Sequence, residues 1–394
     1  MFSLFGNTSR DDSRISENCK SFASIGYNEL IFSRKEHHSM NDEHAFDNLP
    51  MYDSADQHSF TAHTSIDPTL KTTVLSLLYN DRTNPSNSII ISIAPDLGSN
   101  MFRFRVGAHD LIYCDPELLT RTDFTGNFVL WPFPNRVRDK RYMYQGKSYS
   151  LEAVKRSQGN DVLIHGLVLD RQWHYEQPVV QQDSISVTTF IDISPESPFY
   201  KSYPFDSRLS LTYTLTRQGI TVAYRVENKS TKDMPFGFAL HPYFSTLSGK
   251  ENTFVSIPAT HVMEADTELL PTGRLLDVRE IMYAMFDLRQ AVAIANLKLD
   301  HVYTGLQHNG IATIEYMKER IRLDVSASEV FTHMVIFTPL PEKDGPFFCL
   351  ENQTCSTDAM NLHNRGLEEM AHLLELHPGE SSEGFIRYAV SDMQ

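Results

Sequence analysis

The stretch LSLTYTLT-RQG-ITVAYRVE, residues 209–227, decides the fold class of this chain. In its first arm Leu and Tyr alternate with Ser and Thr, and in its second arm Ile, Val and Tyr recur at every other position. Alternation with a period of two is typical of a β-strand that buries one face. Two such arms joined by Arg217-Gln218-Gly219, with Gly219 supplying freedom in the turn, predict an antiparallel hairpin.

Segments of the same kind occur on both sides of this hairpin. They are runs of β-branched, aliphatic and aromatic residues bounded by Asn, Asp, Pro and Ser. Helical periodicity is scarce, and its two candidates, Glu280–Arg289 and Arg365–His372, lack strong caps. Many strands with few helices between them predict a mainly β protein, a large antiparallel β-sandwich with few short helices. The further predicted strands are Val74–Tyr79, Ile89–Ile93, Met101–Val106, Ser186–Ile193, Ile311–Met317, Ile321–Val325, Met334–Phe337, Phe347–Glu351 and Gly384–Val390.

The composition divides the chain into two parts. Residues 1–71 are rich in Ser, Asn, Asp and His with short apolar islands, so they bury too little surface to offset the entropy lost on ordering. We therefore expect 1–71 to be a polar extension, disordered or loosely docked, and 72–394 to be one β domain. His37, His38 and His44 lie in the extension, and their spacing matches no metal motif.

Charge and cysteine content narrow the range of partners. Lys and Arg total 35 against 50 Asp and Glu, for a formal net charge of -15, so the chain repels phosphate backbones and is expected to bind no nucleic acid. No apolar run approaches the length of a membrane helix, so no membrane association is expected. The 4 Cys are irregularly spaced and indicate neither a disulfide framework nor a zinc site. A cytoplasmic protein is the expectation.

Standard catalytic motifs are missing from the sequence. Gln145-Gly146-Lys147-Ser148 resembles the end of a phosphate-binding loop, but Arg141 stands where the first glycine is needed. No G-x-G-x-x-G, G-x-S-x-G or H-E-x-x-H is present. The sequence therefore predicts no nucleotide cofactor and no metal.

Five segments place ionisable or polar groups in apolar, strand-like surroundings, where such groups must find partners or change their pKa. Each group also has an ordinary explanation. His241 could be a core histidine, Glu351 a residue emerging into solvent, Asp300 a turn residue and Arg136 a surface cation. The segments are Trp131–Arg136, Ile164–Gly166, Phe238–Phe244, Leu299–Tyr303 and Phe347–Asn352.

In this order and at these separations the five segments resemble the aldose 1-epimerases, also called galactose mutarotases. The resemblance covers about residues 72–394. Asn352 and Thr357 depart from it, since many members have Pro at both places. The matching motifs are Asn135-Arg136 followed by Gly146–Leu151, His165-Gly166 with Trp173, His241-Pro242-Tyr243-Phe244, Asp300–Leu306, Leu350–Asn361 and Leu376–Glu380.

The resemblance implies a galactose-mutarotase-like supersandwich that interconverts the α and β anomers of a hexose such as glucose or galactose, without a cofactor. It makes Glu351 the base at the C1 hydroxyl and His241 the acid at the ring oxygen, facing each other across a sugar-sized hollow. His165 would assist at the ring oxygen or a neighbouring hydroxyl. The sugar hydroxyls would be held by the substrate-binding residues Arg136, Asp300 and Asn135.

Alternatives remain open from sequence alone. A hexose-6-phosphate 1-epimerase shares the fold but needs extra cations in its pocket. A non-catalytic sugar-binding protein could keep the fold and lose turnover. A polysaccharide lyase or hydrolase would usually have a longer chain with a helical domain. The expected partner is a monosaccharide, and the expected assembly is a monomer or homodimer.

Overall fold

The computed structural model describes residues 58–154, 164–307, 310–339 and 345–393. The described residues belong to one compact unit, Asp56–Gln394. The first strands are β1 His58–Ile66, β2 Thr73–Asp81, β3 Ile89–Ala94, β4 Asn100–Val106, β5 His109–Asp110, β6 Asn127–Leu130, β7 Arg141–Tyr144, β8 Lys147–Ser150, β9 His174–Tyr175 and β10 Val179–Val180. They are followed by β11 Ser184–Ile193, β12 Ser207–Thr216, β13 Gly219–Asn228, β14 Met234–Phe236, β15 Ala239–Ser245, β16 Thr253–Ser256, β17 Ala259–Ala265 and β18 Pro271–Asp277. The last are β19 Val292–Ala293, β20 Asp300–Leu306, β21 Ala312–Tyr316, β22 Ile321–Ala327, β23 His333–Phe337, β24 Phe347–Gln353, β25 Leu374–Leu376 and β26 Ser381–Asp392.

Helices are few and short, as predicted. The α-helices are α1 Pro116–Thr120, α2 Ala359–Asn364 and α3 Glu368–Ala371. The 3-10 helices are Pro85–Asn87, Pro95–Leu97, Arg138–Lys140, Lys250–Asn252, Ile281–Phe286 and Ile294–Asn296. None of the helices in the described part of the chain is long and apolar enough to cross a membrane.

Antiparallel sheets pack face to face around a shared core, which confirms the predicted β-sandwich. A ten-stranded sheet follows the path β10-β11-β12-β13-β26-β22-β21-β16-β19, with β9 pairing beside β11. A seven-stranded sheet has the order β18-β17-β20-β23-β24-β15-β6, and a five-stranded sheet runs from β1 to β5. One apolar cluster joins the sheets through Leu77 of β2, Leu211 of β12 and Leu350 of β24. Every strand predicted from the sequence overlaps an observed one.

The hairpin that decided the fold class is β12 and β13, paired from Ser207–Asn228 to Thr216–Gly219. Gly219 thus lies in the strand, and the connecting turn is Arg217-Gln218. The φ of Gly219 is 133°, and a Cβ at Gly219 would lie 2.1 Å from the Tyr388 carbonyl oxygen on β26. The glycine is needed for the approach of the next strand as well as for the turn.

The predicted start of the β domain at residue 72 is wrong, because β1 pairs with β2 from His58–Asp81 to Ile66–Thr73. Phe60 is the buried residue of this strand and packs on Tyr79 with 5.1 Å between ring centroids. The other side chains of β1 are half-buried or exposed. This agrees with its sequence, which lacks the apolar alternation seen in the predicted strands. Residues 1–57, with His37, His38 and His44, lie outside the described residues.

Both predicted helices are shorter than expected. Within Glu280–Arg289 a 3-10 helix covers Ile281–Phe286, and its exposed Ile281, Met282 and Met285 bury no apolar stripe against the protein. Within Arg365–His372 only α3 is helical, because Gly366, with φ of 77°, follows the end of α2.

Candidate active site

Strand β24 has two different faces, and this difference creates the site. Phe348 and Leu350 point into the core between the sheets. Cys349, Glu351 and Gln353 lie on the opposite face, because side chains alternate along a strand. All three are at least 95% buried, so this second face is covered although it is outside the main core.

The pairing of β15 with β24 places His241 directly across from Glu351. The flanking pairs are Ala239–Gln353 and Tyr243–Cys349. His241 Nε2 lies 3.3 Å from Glu351 Oε1, with the side chains 6% and 3% exposed. The two side chains are therefore in direct contact, whereas the sequence predicted that they face each other across a sugar-sized hollow.

Burial controls the proton affinity of this pair. Removal from water raises the pKa of Glu351 well above its usual range and lowers the pKa of His241 to about 3. A neutral imidazole and a protonated carboxyl carry the same single proton as an imidazolium and a carboxylate. Both arrangements place one proton on the pair, and the directions of the two pKa shifts favour the uncharged arrangement, with the proton on the carboxyl.

His165 approaches the same imidazole from a tight turn. Its ring lies 4.8 Å from that of His241, edge to face. Its backbone N–H donates to the Asn135 carbonyl at 2.9 Å. The next residue, Gly166, has a φ of 72°, and a Cβ there would lie 2.3 Å from the Trp131 carbonyl oxygen. Gly166 is therefore required by this turn, which brings the His165 imidazole beside the acid–base pair.

Asn135 and Arg136 form one unit on the segment that follows β6. The Asn135 side-chain oxygen accepts from the Arg136 backbone N–H at 2.9 Å and from Arg136 Nη1 at 3.0 Å. The amide thereby fixes the direction of the guanidinium. Asn135 is buried and Arg136 is half-buried. This arrangement leaves Arg136 at the wall of a cleft.

A shallow cleft that is open to solvent lies near the acid–base pair: Arg136 and Asp300 line it, and the charges of both act on Glu351, although neither His241 nor Glu351 is part of its lining. Asp300 belongs to the same sheet face as Glu351, since it pairs with Phe337, which pairs with Cys349. Burial raises the pKa of Asp300, and attraction to Arg136 opposes this effect. The lining residues are Asn135, Arg136, Met263, Ala265, Leu269, Pro271, Asp300, His301, Val302 and Thr357.

The site thus collects a buried carboxyl–imidazole pair, a second histidine and a cleft with one fixed guanidinium and one carboxyl. A family model described as aldose 1-epimerase matches residues 90–389. The chain belongs to the aldose 1-epimerase family. All six predicted site residues lie in or beside this one region, three at the pair and three at the cleft.

Two Escherichia coli proteins are similar to this chain at low sequence identity. The uncharacterized Escherichia coli proteins YihR and YphB are 26% identical over 277 residues and 27% identical over 262 residues. These matches cover 70% of this chain and 83% of YihR, and 65% of this chain and 80% of YphB.

A galactose mutarotase-like protein from Clostridium acetobutylicum has a similar fold, with a TM-score of 0.73 and 21% identity, covering 85% of this chain and 99% of that one. A galactose 1-epimerase from Lactobacillus acidophilus gives a TM-score of 0.64 at 17% identity, covering 86% of this chain and 99% of that one. These similarities confirm the predicted galactose mutarotase-like fold.

The two aromatic residues in the family motifs lie in different places. Tyr243 stacks on the His241 ring, 4.7 Å away and 12° from parallel, and also contacts Phe347 and Phe124. Trp173 belongs to the core between the sheets, where its indole N–H donates to the Val168 carbonyl at 3.3 Å. Tyr243 therefore supports the acid–base pair, and Trp173 supports the fold.

Sequence reasoning missed an ionic network behind the cleft. Arg138 Nη2 lies 3.2 Å from Asp266 Oδ2, in the turn between β17 and β18. Arg138 also donates its backbone N–H to Asp358 Oδ1 at 3.0 Å. These three residues are far apart in the sequence, so no local sequence pattern indicates that they interact. Arg138 thereby links the turn between β17 and β18 to the residue that precedes α2. The ion pair with Asp266 compensates the charge of Arg138.

Gln353 was also missed, although its spacing offered a clue. It lies two residues after Glu351 on one strand, so both side chains share a face. Its Nε2 donates to Glu351 Oε2 at 3.2 Å. Among the described residues, no group of three or more His, Cys, Asp and Glu is placed to hold a metal ion.

Proposed function

We propose that this protein interconverts the α and β anomers of an unphosphorylated hexose, such as glucose or galactose, by acid–base ring opening and reclosure. The observation that carries the proposal is the buried contact of 3.3 Å between His241 Nε2 and Glu351 Oε1, near a cleft whose wall contains Arg136 and Asp300. Family membership supports an isomerase of this kind.

The reaction uses the single proton of the pair and returns it. In the state with a carboxylate and an imidazolium, Glu351 accepts the proton of the C1 hydroxyl. The bond between C1 and the ring oxygen breaks, and His241 donates its proton to that oxygen, leaving an open-chain aldehyde. After rotation about the C1–C2 bond, the reverse transfers close the ring on the other face. No net proton is exchanged with solvent, so a pair shielded from water can turn over.

The other residues bind and orient the sugar. Arg136 and Asp300 supply a charged donor and a charged acceptor in the lining of the cleft, and such hydrogen bonds are stronger than neutral ones. Asn135 acts by holding the guanidinium of Arg136. His165, beside the His241 ring, assists at the ring oxygen or a neighbouring hydroxyl.

The charge of the cleft favours a neutral hexose over a hexose 6-phosphate. Arg136 supplies a positive charge and Asp300 a negative charge, while burial lowers the pKa of His301 and disfavours its cationic form. Arg138 is already paired with Asp266. A phosphate group carries a charge of about −1.5 to −2 at neutral pH. The described part of the cleft provides no surplus of positive charge to balance it.

Polarimetry tests the proposal directly. Freshly dissolved α-D-glucose and α-D-galactose, with catalytic amounts of protein, should approach anomeric equilibrium faster than in buffer alone. A hexose 6-phosphate should show little acceleration. Rates equal to those in buffer for both free sugars would reject the catalytic proposal and favour a sugar-binding protein, and faster conversion of the phosphate would favour the phosphate epimerase.

Replacing Arg136 with Ala should raise KM for the hexose by about tenfold or more, because a charged hydrogen bond to a sugar hydroxyl is lost. The effect on kcat should be smaller, since Arg136 binds the sugar and transfers no proton. Initial rates over a range of sugar concentrations separate the two constants.

The matched control for this measurement is Arg208→Ala. Arg208 forms an ion pair with Asp192 on the ten-stranded sheet, away from the cleft. Its replacement should leave both constants unchanged. An unchanged KM in Arg136→Ala would place the guanidinium outside the sugar site.

A further inference from the structure

Both oxygens of the Glu351 carboxyl have a nitrogen partner, and the two partners differ in kind. Oε1 faces His241 Nε2 at 3.3 Å. Oε2 accepts a hydrogen bond from Gln353 Nε2 at 3.2 Å, and Gln353 is fully buried. An imidazole nitrogen gains and loses protons near neutrality, whereas an amide nitrogen keeps its protons. One side of the carboxyl is thus reactive and the other is fixed.

We propose that Gln353 is a positioning residue for the anomer interconversion: its amide N–H holds Oε2, directs Oε1 toward His241, and keeps Glu351 available as a carboxylate base. This inference rests on the proposed function, in which Glu351 removes the C1 proton. Nothing in the motifs of the sequence assigns Gln353 such a role.

The oxygen of the Gln353 side-chain amide also indicates that this glutamine has a functional role. Gln353 Oε1 is buried and has no hydrogen-bond partner among the described residues. A buried unpaired carbonyl destabilises a fold, and an apolar side chain of similar size would avoid that penalty. Packing alone therefore gives no reason for a glutamine here. The hydrogen bond to Glu351 gives a reason for a glutamine, because it offsets part of the desolvation cost of ionising the Glu351 carboxyl.

The electrostatic surroundings agree with this role. Burial raises the pKa of Glu351, and the hydrogen bond from Gln353 is the strongest opposing influence, ahead of the charge of Arg136. Asp300 acts in the same direction as burial. Several other groups feel the charge of Glu351 or contact it: His241 and Tyr243 from β15, Tyr388 from β26, and Cys349 on the same strand.

The test compares Gln353→Met with the wild-type protein, because Met has nearly the shape of Gln and lacks the N–H donor. The Glu351 carboxyl is followed by ¹³C NMR in protein labelled at glutamate side chains, and its signal is identified by its absence in Glu351→Gln. Gln353→Leu provides a second donor-free variant if the first does not fold. Cys349→Ala is the matched control, since Cys349 lies two residues from Glu351 on the other side, on the same buried face.

In Gln353→Met the titration midpoint of Glu351 should move to higher pH by about one to two pH units, the effect expected for losing a hydrogen bond to a charged group. The value of kcat should fall by about tenfold or more, because the carboxylate form becomes rarer, and KM should stay within about twofold. Cys349→Ala should leave the midpoint in place.

The outcomes separate this inference from the proposed function. An unchanged midpoint in Gln353→Met, or an equal shift in Cys349→Ala, overturns the role of Gln353 whatever the kinetics are. If the wild-type protein fails to accelerate mutarotation, the proposed function is rejected, and with it the catalytic part of this inference. The NMR titration would still decide whether Gln353 sets the proton affinity of Glu351.

Discussion

Replacing Glu351 with Gln is expected to lower kcat for anomer interconversion by about 10³-fold, within the range of general base catalysis. The amide has almost the size of the carboxyl, but it cannot accept the C1 hydroxyl proton. Binding of the hexose should persist, because Arg136 and Asp300 keep their places at the cleft. Polarimetry gives the rate, and calorimetric titration with the sugar gives the affinity.

The control for this variant is Glu383→Gln. Glu383 is an exposed residue of β26 that pairs with Arg225, and its replacement should leave the rate unchanged. Thermal unfolding checks that Glu351→Gln is folded. The fold should survive, since a neutral amide loses less on burial than a charged carboxylate does. Near-wild-type turnover in Glu351→Gln would refute the assignment of the base.

Replacing His241 with Asn should lower kcat by on the order of 10²-fold or more, because the ring oxygen then has to take its proton from water. The remaining activity would come from Glu351 and from sugar orientation by the cleft. The control is His377→Asn, an exposed histidine that pairs with Asp233 and lies outside the site. An activity loss in His241→Asn no greater than in the control would remove His241 from the mechanism.

The pH profile of this variant gives a second measurement. In the wild-type protein the pair needs one proton, so activity should fall as pH drops toward the His241 pKa of about 3 and a second proton binds. Activity should also fall as pH rises through the raised pKa of Glu351 and the shared proton is lost. In His241→Asn only an ionised Glu351 is needed. The alkaline decrease should disappear, and kcat/KM should rise with pH to a plateau.

Regular strands were predictable because their signal is local. In β12 each Leu and Tyr of the alternating pattern faces the core, so the sequence of the strand reports its burial directly. In β1 Phe60 is the buried side chain, and this strand could not be predicted from its residues. The pairing of β1 with β2 depends on backbone hydrogen bonds, which leave little trace in residue type.

Candidate residues were predictable only through motifs, and their contacts were not. His241 and Glu351 were named from the sequence, but an imidazole in an apolar strand is equally typical of a core histidine. The antiparallel register of β15 and β24 decides the case, since it sets the two residues opposite each other on the face away from the core. Gln353 and Arg138 lie in no recognisable pattern, because their partners come from the sheet face and from distant turns.

The order of residues by itself determined the class of fold and the chemical groups available, since alternating apolar side chains can be buried in only one way in a sheet. The assembly of the strands into sheets determined the burial, the spacing and the proton affinity of those groups. It removed a carboxyl and an imidazole from water, set them 3.3 Å apart and placed Arg136 and Asp300 in the wall of a cleft near them. Proton affinity depends on solvent exclusion and on neighbouring charges, and both exist only when segments far apart in the chain come together.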